Sequence, residues 1–305
     1  MQEVLTIIVT YNGMQWIERC IRSVYASIGV DPAVIVVDNA STDGTPELIE
    51  KKFPAVKLVK CAENQGFAKA NNIGLRYALE YGFDYVYLLN QDAWLFPETM
   101  STLLRAFEGY IDVNGKLLKP GILSPMQMDA SLTRMDKQFR KHLAKHLELS
   151  HAEVVPVPFV MAAHWMVSAD CIKKSGAFSP EFPHYGEDNN YIHRAKYHGF
   201  CTAVVKTAVA VHDRAGRKRP KDYRMNLKCI SSRVRIADPN RRPFGGLLSQ
   251  TIWLAAMGVL HFSTIPFRGI SSLYADYDRL VESRKASRRP GAFLEGYCPT
   301  SKSAE

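Results

Sequence analysis

The sequence predicts an α/β protein, with a mostly parallel sheet flanked by helices and then a helical extension. Three observations carry this. Over the first ninety residues, short apolar runs alternate with stretches whose apolar residues recur at helical spacing. Polar and acidic residues gather at the ends of the apolar runs. After about residue 213 the alternation stops, and helical patterns rich in Lys and Arg take over.

Val4 to Thr10 reads as a buried strand, and Ile17, Cys20, Ile21 and Val24 follow at helical spacing. Val34 to Val37 is a second strand, with a helix opened by Ser41-Thr42-Asp43; Val56 to Val59 is a third. Phe67 to Tyr81 reads as a helix and Tyr85 to Leu89 as a fourth strand. Crossover units of this kind give parallel pairing, and their ligands bind beyond the carboxyl ends of the strands. Tyr11 and Asn12, Asp38 and Asn39, Asn64 to Gly66, and Asn90 to Asp92 all sit at such ends.

Further on, Lys116 to Ser124 is a candidate strand, and the polar stretch Asp129 to Ser150 reads as a mobile loop or a surface helix. Val154 to Val167 is apolar, Asp188 to His198 helical, and Thr202 to Val211 a strand. Pro220 to Ala237, Leu247 to Phe262 and Ile270 to Lys285 look helical, and the Gly-, Pro- and Ser-rich end from Ser287 reads as frayed.

The chain has 305 residues, a net charge of +9 and 47% hydrophobic residues, as expected of a globular protein. Eleven Lys and Arg between Arg214 and Arg242, opposed by only Asp222 and Asp238, account for the whole charge excess. A basic segment on a neutral body implies an anionic partner such as substrate phosphates or lipid head groups. No recognised nucleic-acid-binding motif accompanies it, so nucleic acid is not the expected partner. The six cysteines lack the spacing of a zinc site or disulfide framework and read as free thiols. The N-terminus reads as a first core strand rather than a signal peptide, implying a cytoplasmic location or the inner face of the cell membrane.

Asp38 and Asp92 end apolar strands, where an unpaired charge is costly, so each either caps a turn or serves a ligand. With Tyr11 beside them the ligand reading gains. A tyrosine face stacks on a base, one carboxylate takes a base or ribose proton, and another holds a divalent cation together with substrate phosphates.

The runs Thr10-Tyr11-Asn12, Val37-Asp38-Asn39-Ala40-Ser41-Thr42-Asp43-Gly44-Thr45 and Asn64-Gln65-Gly66-Phe67-Ala68-Lys69-Ala70-Asn71-Asn72-Ile73-Gly74 resemble family 2 glycosyltransferases of the GT-A fold. Leu88-Leu89-Asn90-Gln91-Asp92-Ala93 resembles that family's DxD segment, in the form found in bacterial rhamnosyltransferase-like members. Tyr185-Gly186-Glu187-Asp188, with Arg194 and Gly199, resembles its acceptor-side ED motif. The resemblance implies a catalytic domain over 1–213, with a donor half to about 110 and an acceptor half from about 111, and an extension over 214–305.

It implies inverting transfer from a UDP- or dTDP-sugar, dTDP-rhamnose among them, to a glycan or lipid-linked acceptor in bacterial surface polysaccharide synthesis. Donor contacts fall on Thr10, Tyr11, Asn12, Asp38, Asn39, Gly66, Asn71, Asn90 and Gln91, with Tyr11 and Asp38 at the base and Asn90 at the ribose. Asp92 would coordinate Mg²⁺ or Mn²⁺, with His212 as a further ligand. Asp188 would be the general base and Glu187 the second candidate. Trp165 as a sugar platform, Tyr185, and Arg194 bracing the carboxylates complete the acceptor side. One departure is Asn90, where the DxD pattern has a first Asp; Asn accepts a hydrogen bond but adds no charge.

Two other nucleotide-binding enzymes are disfavoured. A pyrophosphorylase would open on a glycine-rich phosphate loop and a dehydrogenase on G-x-G-x-x-G, and Thr10-Tyr11-Asn12-Gly13 is neither. A catalytically inactive nucleotide-sugar- or glycan-binding protein is the remaining alternative. In the extension, Leu247 to Leu260 is too short to span a bilayer; flanked by Arg241, Arg242 and Arg268, it suits either an anionic membrane surface or a helix packed on the body or in a homodimer interface.

Overall fold

The computed structural model describes residues 2–214, 220–241 and 243–294. Arg217, Lys218, Arg219 and Arg242 of the basic run, and Cys298, lie outside the described residues.

The first half follows the predicted alternation. In chain order it runs β1 (Val4–Thr10), α1 (Ile17–Tyr25), β2 (Ala33–Asp38), α2 (Thr45–Lys52), β3 (Lys57–Lys60), α3 (Gly66–Glu80), β4 (Tyr85–Asn90), β5 (Ala93–Leu95) and α4 (Thr99–Phe107). β3, β2, β1 and β4 lie side by side and parallel. Ile7 and Ile8 point to opposite faces of β1 and both are fully buried, one under α3 and one under α1, which is why the run is continuously apolar. Each such side chain contributes roughly 1.5–3 kcal/mol by burial. The register sets Thr10 opposite Asp38 and Val9 opposite Asn90, so the polar strand ends lie level on one edge.

The second half continues with β6 (Ile111–Val113), β7 (Lys116–Met128), α5 (Lys137–Leu149), β8 (Val154–Pro156), β9 (His164–Ser168), α6 (Ala169–Ser175), α7 (Glu187–Tyr197) and β10 (Phe200–His212). The sheet order is β3-β2-β1-β4-β9-β7-β10-β5. β9 runs antiparallel between β4 and β7, while β7 and β10 pair parallel. Within the stretch 129–150, Lys137–Leu149 form helix α5. Asp136 caps it by accepting from the backbone N–H of Gln138 (3.0 Å) and Phe139 (2.9 Å), and Phe139, Leu143 and Leu147 bury one face. That buried face excludes the mobile-loop alternative.

The extension consists of α8 (Tyr223–Ile236), α9 (Pro243–Leu260), α10 (Ile265–Ala275) and α11 (Tyr277–Ala286) around its own cluster of Val234, Ile236, Leu254, Leu273 and Leu280, joined by Phe182 of the body. The single helix expected over 270–285 is broken at Asp276, whose carboxylate takes bonds from Arg233, Ser272 and Arg279. Residues 287–294, expected to fray, are instead tied down. Ala177 donates to Ala292 O (2.9 Å), Gly291 to Lys174 O (3.2 Å), and Phe293 packs under the Arg194 guanidinium.

Candidate active site at the carboxyl edge of the sheet

The donor edge is a set of strand ends fastened to each other. Gln91 Oε1 accepts from Thr10 Oγ1 (2.7 Å) and Tyr11 N (2.9 Å), and its amide donates to Tyr11 O (3.2 Å). Asn12, at φ 49, donates its N–H to Ser41 Oγ (2.9 Å), and its Oδ1 accepts from Thr42 N (2.9 Å). Asn39 clamps the next loop, accepting from Gln65 N and donating to Gly66 O, each at 3.2 Å. Thr10, Asn12, Asn39 and Gln91 therefore shape the edge, and Tyr11, half exposed, presents its ring above it. Asp38 is buried; Oδ2 accepts from Ser41 N (3.0 Å), while Oδ1 has no protein partner. A buried carboxylate oxygen left over at a strand end suits a ligand donor such as a base or ribose N–H or O–H.

Gly66 holds the donor edge against the acceptor side. Its φ is +78°, and a Cβ there would stand 2.8 Å from Pro183 O. Asn71 is turned inward, buried and donating to Phe67 O one turn back, so it belongs to the helix packing rather than to a donor surface.

Asp92 and His212 meet in the interior of this edge. Both are buried, with His212 Nε2 3.5 Å from Asp92 Oδ1 and 3.5 Å from Asn90 Nδ2. Burial holds the imidazole below its ordinary pKa against the pull of Asp92, which favours the neutral form that binds metals. Among the described residues no cluster of three or more His, Cys, Asp or Glu could hold a metal ion. An oxygen and an imidazole nitrogen fit Mg²⁺ or Mn²⁺ only when the remaining positions are filled by water and a diphosphate. His164, behind the pair, donates from Nε2 to Val211 O (2.9 Å) and accepts from Tyr87 OH at Nδ1 (3.0 Å). Burial keeps it neutral, with a pKa of about 3.

The acceptor side begins at the start of α7. Tyr185 (φ 68) and Gly186 (φ 88) turn the chain left-handed into the helix, so that Glu187 and Asp188 open its first turn. Asp188 Oδ1 accepts from Asn189 N (2.7 Å); Glu187 Oε2 is buried without a partner. Burial raises both carboxyls above the ordinary range, reinforced at Glu187 by the charge of Asp188 and opposed at Asp188 by the Asn189 bonds and Arg214. Just before them in the chain, Phe182, Pro183, His184 and Tyr185 line a cavity of about 360 Å³ together with Ile230 of α8 and Arg279 of α11, among others. The Tyr185 ring stands edge-on to Tyr223, 5.5 Å away.

Arg214 and Asp136 are the site residues that the sequence reading missed. Arg214 Nε donates to His212 Nδ1 (3.2 Å), lies 3.6 Å from Asp136 Oδ2, and is the cation felt by Asp188. With Nδ1 accepting, the neutral ring carries its proton on Nε2, toward Asp92, so metal binding through Nε2 would require this bond to give way. The available signal was its position two residues after His212, at the head of the basic run.

Two acceptor-side expectations are corrected. Trp165 is fully buried between Phe178 and Tyr191 and offers no sugar platform. Arg194 is fully buried and braces no carboxylate. It donates to Asn190 Oδ1 (3.2 Å), Ala177 O (2.7 Å) and Ser175 O, pinning α7 to the loop after α6.

A mostly parallel sheet flanked by helices, with further helices after it, is the GT-A fold of glycosyltransferases. The mannosyltransferase PcManGT from Pyrobaculum calidifontis, solved in complex with GDP-Man and Mn²⁺, matches with a TM-score of 0.52 and 18% identity over 93% of this chain and 73% of that one. Residues 6–123 match the model of Glycosyl transferase family 2. The chain is 23% identical to the N-acetylglucosaminyl-diphospho-decaprenol L-rhamnosyltransferase of Mycobacterium tuberculosis, over 70% of this chain and 78% of that protein. It is 32% identical over 100 residues to the chondroitin synthase of Pasteurella multocida, a match covering 32% of this chain and only 10% of that much longer protein.

Proposed function

We propose that this chain is an inverting glycosyltransferase that moves a sugar from a UDP- or dTDP-linked donor to a glycan or lipid-linked acceptor in bacterial surface polysaccharide synthesis. The observation that carries the reading is the Asp92–His212 pair, joined through Arg214 to the Glu187–Asp188 start of α7. Tyr11 stacks on the base, Asp38 Oδ1 takes a base or ribose proton, and Asn90 faces the ribose. Asp92 would hold Mg²⁺ or Mn²⁺, joined by His212 once its Nε2 is free of a proton, and the ion would supply charge neutralisation on the leaving diphosphate. Asp188 takes the proton of the acceptor hydroxyl as its oxygen bonds to the anomeric carbon. The bond from that carbon to the diphosphate breaks on the opposite face, and the nucleoside diphosphate departs. Arg214 adds a fixed positive charge between the two events.

The donor sugar is sought first among dTDP-rhamnose and the UDP-hexoses, since a relative over most of the chain is named a rhamnosyltransferase. Mass spectrometry of the purified protein with each donor, Mn²⁺ and a polyprenyl-diphosphate-linked N-acetylglucosamine tests the reading. A product heavier by one sugar residue, with release of UDP or dTDP, is expected. Asn90 in place of an acidic residue favours one second reading, an inactive nucleotide-sugar-binding protein. Tight donor binding with neither transfer nor hydrolysis across the donor set would establish that reading instead.

A further inference from the structure

Apart from Ser249, Gln250 and Thr251, helix α9 is apolar, yet only one side is covered. Gln250, Leu254 and Gly258, spaced four apart, face α8 and α10, with Ser232 Oγ donating to Gln250 Oε1 at 3.2 Å. On the opposite side Leu248, Ile252, Val259 and Leu260 are 60–67% exposed, and Phe262, in the turn to α10 at φ 47, is 99% exposed. Phe267 and Tyr274 extend the patch onto α10. A helix with apolar residues all round needs a second cover. Among the described residues no helix is long and apolar enough to cross a membrane. At 1.5 Å per residue α9 runs roughly 27 Å.

Charge selects the cover. No Asp or Glu occurs from Pro243 to Ala275. The cations beside the patch are Lys228, whose Nζ stands 5.9 Å from the Trp253 ring and 3.3 Å from His261 Nε2, and the exposed Arg268. A two-fold pairing with a second copy would bring Lys228 and Arg268 against their own kind, with no carboxylate on the hairpin to meet them. An anionic head-group layer meets them directly, and acyl chains cover Ile252, Val259, Leu260 and Phe262.

We propose that the α9–α10 hairpin docks on an anionic lipid surface, with the Leu248–Leu260 stripe and Phe262 entering the boundary between head groups and acyl chains. This supplies a membrane partner for the transfer reaction proposed above but does not depend on it. Flotation of the full chain with phosphatidylcholine vesicles, with and without phosphatidylglycerol, reads the inference directly. Binding is expected with the anionic vesicles alone and should weaken with salt. Arg268→Gln should lower the partition coefficient about fivefold, the equivalent of about 1 kcal/mol per basic residue. Ile252→Asn with Phe262→Asp should abolish binding while nucleotide affinity by calorimetry, which reports an intact fold, stays unchanged. Brominated lipids should quench tryptophan emission in wild type and much less in Trp253→Phe. No flotation at low salt overturns the proposal. So does a concentration-dependent dimer, without vesicle binding, that Ile252→Asn dissolves; that result assigns the face to a second copy.

Discussion

The donor and acceptor edges of this site are built by different means. The donor edge is local: Thr10, Asp38 and Asn90 end adjacent parallel strands, and hydrogen bonds from Gln91, Asn12 and Asn39 lock those ends together within the first half of the chain. The acceptor edge is assembled from distant parts. Gly186, at the start of α7, sits against Ile230 and Val234 of α8, and the adjoining cavity takes a wall from α11. On the proposed reading, a rigid donor edge would preorganise the leaving group, whereas the base would be only as well placed as the extension that packs behind it. The two edges should therefore fail differently.

The sharpest separation is expected from Asp188→Asn. Transfer should fall by ~10²–10⁴ with donor affinity intact, the usual cost of removing a general base. A mutant keeping more than about a tenth of wild-type rate would move the role to Glu187. Asp92→Ala should act on the other edge, abolishing the Mn²⁺ dependence of UDP or dTDP affinity measured by calorimetry. Equal affinities in mutant and wild type, both responding to metal, would remove Asp92 from the metal site. Gly186→Ala tests the long-range support. At φ +88° an added Cβ meets Ile230 Cγ2 at 2.8 Å and Val234 Cγ2 at 2.9 Å, so stability should drop by ~1–3 kcal/mol and transfer should suffer while donor affinity holds. Unchanged urea midpoints would mean that α8 does not buttress the base.

The acidity of the pair sharpens the contrast further. The base must be ionised, and burial raises both carboxyls, so kcat/KM should fall with decreasing pH through a limb lying above the ordinary carboxylate range. Arg214 favours the ionised form of Asp188, and Arg214→Gln should shift that limb to higher pH. An unmoved limb would detach Arg214 from the base, leaving it its contacts to His212 and Asp136.

The same division decides what was legible in the sequence. Strand ends on the donor side carry their polar residues in contiguous motifs, so the edge and the alternation behind it could be read directly. Asp92 and His212, 120 residues apart, were paired there only by resemblance, and β10 closing on β5 is what brings them together. Arg214 and Asp136 escaped because their value lies in closing that pair from a basic run and a helix cap. The antiparallel β9 left no mark, since a buried central strand reads alike in either direction. Phe139, Leu143 and Leu147 did signal a core-facing helix, obscured by the Lys and His around them. Arg194 and Trp165 were misread for one reason: a large polar-tipped side chain near a motif suggests ligand contact, while only tertiary packing shows whether it meets solvent.

Trp165→Phe carries that last correction to a test and should have the smallest effect. The ring lies stacked near Phe178, with centroids 6.4 Å apart, and 6.0 Å from Tyr191. Its Nε1 is buried without a hydrogen-bond partner. Two terms oppose each other. Phenylalanine loses volume and leaves a small void, which destabilises, while deleting an unsatisfied buried N–H removes a penalty of ~1–3 kcal/mol. The net change should stay within about 1.5 kcal/mol by urea denaturation, near the cost of a tolerated core swap. Kinetics discriminate more finely than stability. A core tryptophan that never touches the acceptor leaves the acceptor KM unchanged, whereas losing a stacking platform raises it with kcat and donor KM held. A tenfold rise in acceptor KM in a variant with wild-type stability would return Trp165 to the acceptor edge. An unchanged KM leaves Tyr185, half exposed beside the cavity and leaning on Tyr223 of the extension, as the aromatic surface there for a sugar to meet.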